Sequence, residues 1–153
     1  MYHKILTVDA NKCTGCRTCE MVCSLHHEKK CSPILSRTRV VKFEALGLNF
    51  PIVCTHCSKP KCMVACSHDA MRVDSETGAV LIDEALCTGC RSCLAACPRS
   101  QVGFHPDKGV AFKCDLCEGN PQCARFCPTG AIRYSVMDEY LMAKRRALLS
   151  VKA

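Results

Sequence analysis

Sixteen of the 17 cysteines in this 153-residue chain fall into four closely spaced groups, which we number in chain order. The groups are Cys13-x2-Cys16-x2-Cys19-x3-Cys23, Cys54-x2-Cys57-x4-Cys62-x3-Cys66, Cys87-x2-Cys90-x2-Cys93-x3-Cys97 and Cys114-x2-Cys117-x5-Cys123-x3-Cys127. Thiols so close together can form disulfides, bind zinc or bind iron–sulfur clusters. Cys31 lies outside the scheme, and we expect it to be a bystander thiol.

The spacing favours [4Fe–4S] clusters over the alternatives. Two residues between cysteines allow a tight loop to place three thiolates around one cubane, and the fourth cysteine serves the neighbouring cluster. We expect this fourth cysteine to begin a helix, with Pro98 and Pro128 in the first turn and Ser24 and Ser67 weakening the other two helix starts slightly. Zinc sites typically pair C-x2-C units that lie a dozen or more residues apart.

The composition agrees with a metal protein. Aromatic residues make up only 5% of the chain, so clusters must replace part of a conventional core. The formal charge of +7 balances the negative charge of the cofactors, because four clusters at about −2 each carry about −8. It therefore does not indicate nucleic-acid binding. The sequence shows no secretory signal and no apolar run long enough to span a membrane. Disulfides need an oxidising compartment, so we expect a cytoplasmic metal protein.

Internal repeats predict which groups pair. Groups one and three follow similar stretches with predicted strands at Ile5–Val8 and Val80–Ile82. Groups two and four are stretched around a proline and precede predicted strands at 70–73 and 131–134. Groups two and three follow the order motif, strand, turn, strand, motif, with the turn at 75–78. Group four has a strand after it and group one has a strand before it, so group four should pair with group one.

Crossing of the fourth cysteines then gives four ligand sets. The outer pair of clusters takes Cys13, Cys16, Cys19 and Cys127 for one cluster and Cys114, Cys117, Cys123 and Cys23 for the other. The inner pair takes Cys54, Cys57, Cys62 and Cys97 for one cluster and Cys87, Cys90, Cys93 and Cys66 for the other.

We therefore predict an α+β fold of two ferredoxin-like units, one nested in the other, with small two-stranded sheets and short helices. The outer unit covers 1–36 and 106–135 and the inner unit covers 50–105. A strand or hairpin insertion occupies 37–49, where alternating residues indicate a cluster cover or a subunit interface. The remaining 136–153 form a C-terminal helix and tail, which packs on its own unit or docks on a partner.

Over residues 7–135, the four motifs resemble the four-cluster ferredoxin subunits of complex redox enzymes. These include the electron-transfer subunits of molybdenum and tungsten oxidoreductases such as dimethyl sulfoxide reductase and formate dehydrogenase, and partners of carbon monoxide dehydrogenase and hydrogenase. The stretches 23–28 and 33–40 resemble the small subunits that accompany tungsten aldehyde oxidoreductases and their benzoyl-CoA reductase relatives. The resemblance implies a relay of electrons between a catalytic subunit and an acceptor.

Several interpretations of the remaining features stay open. Five histidines near the cysteines either tune cluster potentials or are ordinary structural residues: His26, His27, His56, His68 and His105. No nucleophile, phosphate loop or flavin fingerprint is evident, so we expect no enzyme activity in this chain.

We expect a subunit that relays electrons for a tungsten or molybdenum aldehyde oxidoreductase in an anaerobic organism. A flavin- or NAD-linked acceptor subunit and self-association into a filament are further expectations. The alternatives are a free polyferredoxin, a partner of carbon monoxide dehydrogenase, hydrogenase or formate dehydrogenase, and a structural zinc or disulfide protein.

Overall fold

The computed structural model describes residues 4–137 and 141–142, and this part of the chain contains four separate two-stranded antiparallel sheets. The strands are β1 (Lys4–Val8), β2 (Arg39–Phe43), β3 (Leu48–Ile52), β4 (Met71–Val73), β5 (Val80–Ile82), β6 (Val102–Phe104), β7 (Ala111–Lys113) and β8 (Ile132–Val136). The α-helices are α1 (Thr18–Glu28), α2 (Lys61–Val64), α3 (Ser92–Ala96) and α4 (Gln122–Arg125). Small sheets and short helices confirm the predicted α+β class.

The first and last strands pair with each other, so the two ends of the described chain meet. In the β1–β8 sheet Leu6 lies opposite Tyr134, and the Asp9 N–H donates to the Ala131 carbonyl at 2.8 Å just beyond it. β8 continues to Val136, which pairs with Lys4. The predicted C-terminal helix therefore begins after Val136, because that residue is held in the strand. Of this helix only residues 137 and 141–142 are described, and the rest lies outside the described residues.

The β4–β5 hairpin repeats this arrangement in the middle of the chain. Its turn lies where the sequence predicted it, and Asp74 Oδ2 accepts from the Thr77 N–H at 2.9 Å. Beyond the strands, the Asp83 N–H donates to the Ala70 carbonyl at 2.8 Å. This contact matches the one between Asp9 and Ala131, so the two sheets carry the same local geometry.

A second inner hairpin, β6–β7, was not predicted from the sequence. Its turn copies that of β4–β5 with His105 in the place of the aspartate. The Gly109 N–H donates to the His105 carbonyl at 2.9 Å, and the Lys108 N–H donates to His105 Nδ1 at 3.2 Å. This hairpin connects the third cysteine group to the fourth.

The β2–β3 hairpin forms within the predicted insertion and extends three residues past it, to Ile52. A buried hydrogen bond ties it to α1, since Glu20 Oε1 accepts from the Val40 N–H at 2.6 Å. Both residues are buried, with 5% of Glu20 and 7% of Val40 exposed. The contact positions the hairpin beside the first cysteine group.

The buried apolar residues form two clusters, and cysteines belong to both. The larger one surrounds Leu116 and Ile132 and includes Cys19, Cys114 and Cys123. The smaller one lies around Val80 and includes Cys93. The core of this aromatic-poor chain is thus built around its thiols.

Candidate metal centres

Each helix begins one residue before the third cysteine of its group, and α2, α3 and α4 end before the fourth, so the expectation that the fourth cysteine begins a helix is wrong. α3 ends at Ala96 and α4 at Arg125, before Pro98 and Pro128, and both prolines follow the helix. Proline lacks the N–H that a continuing helix needs. In group one Ser24 takes this position, and α1 runs on to Glu28. Absence of proline is not sufficient for a longer helix, because α2 ends at Val64 although Ser67 follows Cys66.

Three cavities each bring together four cysteines. The outer end site has Cys13, Cys16, Cys19 and Cys127 in its wall. The inner junction site has Cys54, Cys57, Cys62 and Cys97. The inner end site has Cys66, Cys87, Cys90 and Cys93. In each cavity three cysteines come from one group and the fourth comes from its partner group, as in the expected ligand sets.

The remaining four cysteines form the outer junction site: Cys23, Cys114, Cys117 and Cys123. Burial raises the pKa of Cys123 well above its ordinary value, and the neighbouring thiols of Cys114, Cys23 and Cys117 raise it further. Burial likewise raises the pKa of Cys117 to about 11, with the nearby Cys23 among the lesser causes. These mutual effects require the four thiols to lie close together.

The thiols differ in how easily they ionise. Hydrogen bonding from the Thr18 hydroxyl, 3.4 Å from the sulfur, lowers the pKa of the exposed Cys16. Ser92, whose hydroxyl lies 3.5 Å from Cys90, lowers the pKa of that thiol in the same way. Burial instead raises the pKa of Cys93 to about 11. Buried thiols of this kind remain protonated at neutral pH unless a metal displaces the proton.

Hydrogen-bond donors around the sulfurs fit a cluster better than they fit free thiols. Backbone N–H groups donate to three cysteine sulfurs: Arg37 to Cys23 at 3.2 Å, Gln101 to Cys97 at 3.3 Å and Ala111 to Cys87 at 3.4 Å. Thiolate sulfur accepts such bonds well, and they stabilise its negative charge.

A buried ring nitrogen gives a second test of the fit. Nε2 of His56 lies in the wall region of the inner junction site, and it has no hydrogen-bond partner among the residues that the structure describes. Burial, with the nearby Lys113 charge, lowers the pKa of His56 to about 3, so the ring is neutral. A neutral buried donor without a partner is costly in a protein, and cluster sulfur is a suitable acceptor for it.

The histidines near the cysteines divide between the two expected roles. Nε2 of His27 lies 3.6 Å from Cys117 Sγ and 3.5 Å from Asp115 Oδ1, so it contacts a candidate ligand. His68 lies in the wall of the inner end site. His105 is structural, because Nε2 pairs with Glu28 Oε2 at 3.4 Å and Nδ1 accepts from a turn. His26 is exposed near His27.

Sequence reasoning missed Lys113. This residue is only 5% exposed, and it lines the inner junction site although it precedes a cysteine of the outer junction site. Its only sequence signal is its position directly before Cys114, inside a strand that was itself not predicted. Cys31 is exposed and lines none of the three cavities described above.

Family models match both parts of the chain. The 4Fe-4S dicluster domain model matches residues 46–137, and the 4Fe-4S binding domain model matches residues 5–26. The chain therefore belongs to the family of ferredoxin-type proteins with 4Fe-4S dicluster domains. The [4Fe–4S] cofactors predicted from the cysteine spacing are confirmed, and the sixteen grouped cysteines accommodate four of them.

Similar proteins are electron-transfer subunits. The chain is 42% identical to the polyferredoxin-like subunit of aliphatic sulfonate oxidoreductase from Pyrococcus furiosus, over 80% of this chain and 70% of that protein. It is 33% identical to a subunit of the anaerobic dimethyl sulfoxide reductase of Escherichia coli, over 86% of this chain and 73% of that subunit. It also resembles a polypeptide in the active site complex BamBC of benzoyl coenzyme A reductase, with 27% identity, a TM-score of 0.52 and coverage of 96% and 89%. The predicted family is confirmed.

Within residues 4–137 and 141–142, none of the helices has the length and apolarity needed to cross a bilayer.

Proposed function

We propose that this chain is a non-catalytic electron-transfer subunit whose four [4Fe–4S] clusters relay electrons between a catalytic oxidoreductase subunit and a redox partner. The observation that carries this proposal is the serial arrangement of the four sites. α1 holds Cys19 of the outer end site and Cys23 of the outer junction site one helical turn apart. At the other side, Cys54 of the inner junction site and Cys114 of the outer junction site belong to the same buried cluster, which links the two junction sites.

The proposed ligands are the four sets of cysteines at these sites, and the proposed units are the outer and inner ferredoxin-like regions with the boundaries predicted above. The matched contacts beyond β1–β8 and β4–β5 support this division, because the first of these two sheets belongs to the outer unit and the second to the inner unit, while the β6–β7 hairpin crosses the boundary between 105 and 106. The relay then runs from the outer end site through the two junction sites to the inner end site. Cys16 and Cys90, the exposed thiols of the two end sites, mark where electrons enter and leave.

An exposed apolar surface on the β2–β3 hairpin supports docking of the catalytic subunit at the outer end. Val41 lies opposite Phe50 and Phe43 lies opposite Leu48, so these four side chains share one face of the hairpin. They are between 37% and 55% exposed. On the other face, Val40 and Pro51 line the outer end site. A protein that covers the apolar face would therefore lie next to the first cluster.

For the partner, we propose a tungsten or molybdenum aldehyde oxidoreductase in the cytoplasm of an anaerobic organism. Support comes from the relatives described above, which are subunits of a sulfonate oxidoreductase and of dimethyl sulfoxide reductase. At the inner end, we propose a flavin- or NAD-linked subunit or a second copy of this chain. Copies joined end to end would lengthen the relay into a filament.

Anaerobic purification of tagged protein from its host tests the proposal. We expect about sixteen irons per chain, broad absorbance near 400 nm and paramagnetic resonance signals after dithionite. We also expect an oxidoreductase subunit that remains bound at high salt. Phe43→Ser should release this subunit without loss of iron. In the control Leu86→Ser, which changes an exposed residue at the inner end, the subunit should stay bound.

Three results would contradict parts of this proposal. Full iron content without any salt-stable partner would identify a free polyferredoxin. A bound carbon monoxide dehydrogenase, hydrogenase or formate dehydrogenase would correct the choice of catalytic partner. One copy per complex, seen by electron microscopy, would exclude the filament.

A further inference from the structure

We propose that His56 and Lys113 together raise the reduction potential of the cluster at the inner junction site, His56 through an N–H···S hydrogen bond and Lys113 through its positive charge. The inference rests on the ligand set proposed for this site. The two residues would thereby influence electron transfer across the boundary between the two units. Neither residue is a ligand, and each acts on the cluster from the wall of the cavity.

The hydrogen bonds of His56 determine which ring nitrogen carries the proton. Nδ1 accepts from the Val80 N–H at 3.0 Å, so the ring proton lies on Nε2. Nε2 is buried without a protein partner in the described part of the chain. Since His56 lines the inner junction site, the sulfur of the cluster or of its thiolates is the acceptor that completes the bond. Hydrogen bonds to sulfur stabilise the more negative, reduced cluster and so raise its potential.

Lys113 adds a buried cation to the same wall. Its amino group donates to the Val80 carbonyl at 2.6 Å and to the Cys114 carbonyl at 3.3 Å. Both partners are neutral, and among the described residues no carboxylate forms an ion pair with it. A positive charge in a poorly hydrated site favours the cluster state with one more electron. Val80 thus holds both side chains, one through its N–H and one through its carbonyl.

The chain contains its own comparison for these two positions. In the repeat that relates groups two and four, His56 corresponds to Leu116 and Lys113 corresponds to Val53. His56 and Leu116 share the left-handed backbone conformation, with φ of 45° and 60°. Leu116 and Val53 are buried with Cys114 and Cys123 of the outer junction site. The outer junction site therefore has hydrocarbon at the two positions where the inner junction site has donors.

This correspondence supplies substitutions that the fold already accepts at matching positions. His56→Leu and Lys113→Val each install the residue of the counterpart. We expect all sixteen irons to remain. The reduction equilibrium of one cluster, the same cluster in both variants, should shift about tenfold toward the oxidised form, which lowers its potential. For a one-electron couple this equals about 59 mV. Redox titration followed by paramagnetic resonance measures the shift.

Two further variants separate potential tuning from simple disruption. His56→Gln keeps an N–H donor of similar reach and should restore most of the potential. His105→Leu also removes a buried histidine, 5% exposed, but both of its ring nitrogens have protein partners. We expect His105→Leu to leave all four potentials within about twofold of the original equilibria, about 18 mV.

The outcomes distinguish this inference from the proposed function. Wild-type protein with far fewer than about sixteen irons overturns the proposed cluster relay itself. Sixteen irons, with every step unshifted in His56→Leu and Lys113→Val, overturns only the tuning role. Shifts of different steps in the two variants also overturn it, because the residues would then act on different clusters. If His56→Leu loses iron, Lys113→Val decides: a shifted step supports the inference and unshifted steps reject it.

Discussion

Loss of the Glu20 carboxylate should detach the β2–β3 hairpin from α1 while the clusters stay in place. Oε1 of Glu20 accepts from the Val40 N–H at 2.6 Å, and both residues are buried. Glu20→Ala leaves that N–H without an acceptor. A lost hydrogen bond to a charged group, or a buried donor left unpaired, costs about 2 kcal/mol. Opening of the hairpin should therefore become about 30-fold more frequent.

Hydrogen–deuterium exchange of the cluster-loaded protein measures this opening. We expect peptides that cover 37–52 to exchange about 30-fold faster in Glu20→Ala, with little change in β4–β5. Glu20→Gln keeps a carbonyl acceptor and should give a clearly smaller effect. Glu44→Ala, which removes an exposed acidic residue from the same hairpin, serves as the control. Equal exchange in Glu20→Ala and wild type would refute the assignment of this contact as the main link between hairpin and helix.

The same variant links fold to function. The hairpin carries the apolar face that we propose as the docking surface for the catalytic subunit. Frequent opening should weaken that docking by a factor no larger than the change in opening, and salt-stable co-purification should decrease accordingly. Equal loss of co-purification in Glu20→Ala and in the control Glu44→Ala would contradict this link, because only Glu20→Ala loosens the hairpin.

Three other outcomes follow from the thiols and one glycine. In loaded protein under anaerobic conditions, iodoacetamide should modify only Cys31, and mass spectrometry showing more than one adduct would contradict the ligand sets. In metal-free protein Cys16 should react with iodoacetamide ahead of Cys19. The lowered pKa of Cys16 leaves more thiolate at neutral pH, whereas burial raises the pKa of Cys19 to about 11. Equal rates at pH 7 would refute this order. Gly89→Ala should prevent assembly of the cluster at the inner end site, a loss of about four irons per chain. A Cβ at this position would meet the Gly109 carbonyl oxygen, and φ is +72°. Iron analysis that shows full loading would refute this.

Four strands next to the cysteine groups, β1, β4, β5 and β8, were predictable because each has a short apolar run next to a motif. Val80–Ile82 was predicted with its observed bounds, and the pairing of the two terminal strands followed from the repeats. The four ligand sets were predicted from the motif spacing and the internal repeats together, and three of the sets line one cavity each. These features depend on local sequence and on one repeat.

Other features depended on contacts between segments distant in sequence. β6–β7 was missed because His105, rather than aspartate, accepts the turn N–H, and histidine is not an expected turn residue. The helices were placed after the fourth cysteine because proline favours a first turn, but here it follows the helix end. Lys113 was missed because one of its carbonyl partners comes from Val80, far away in the chain.

The meeting of β1 with β8 has a consequence for biosynthesis. Every thiol proposed for the two inner sites has been translated once Cys97 is made, so these clusters can be inserted while the rest of the chain is still on the ribosome. The outer end site must wait for Cys127, although Cys13 is translated before the other fifteen grouped cysteines. The first of the four cysteine groups to be translated is therefore among the last to receive its full ligand set, and it needs protection from oxidation in the meantime.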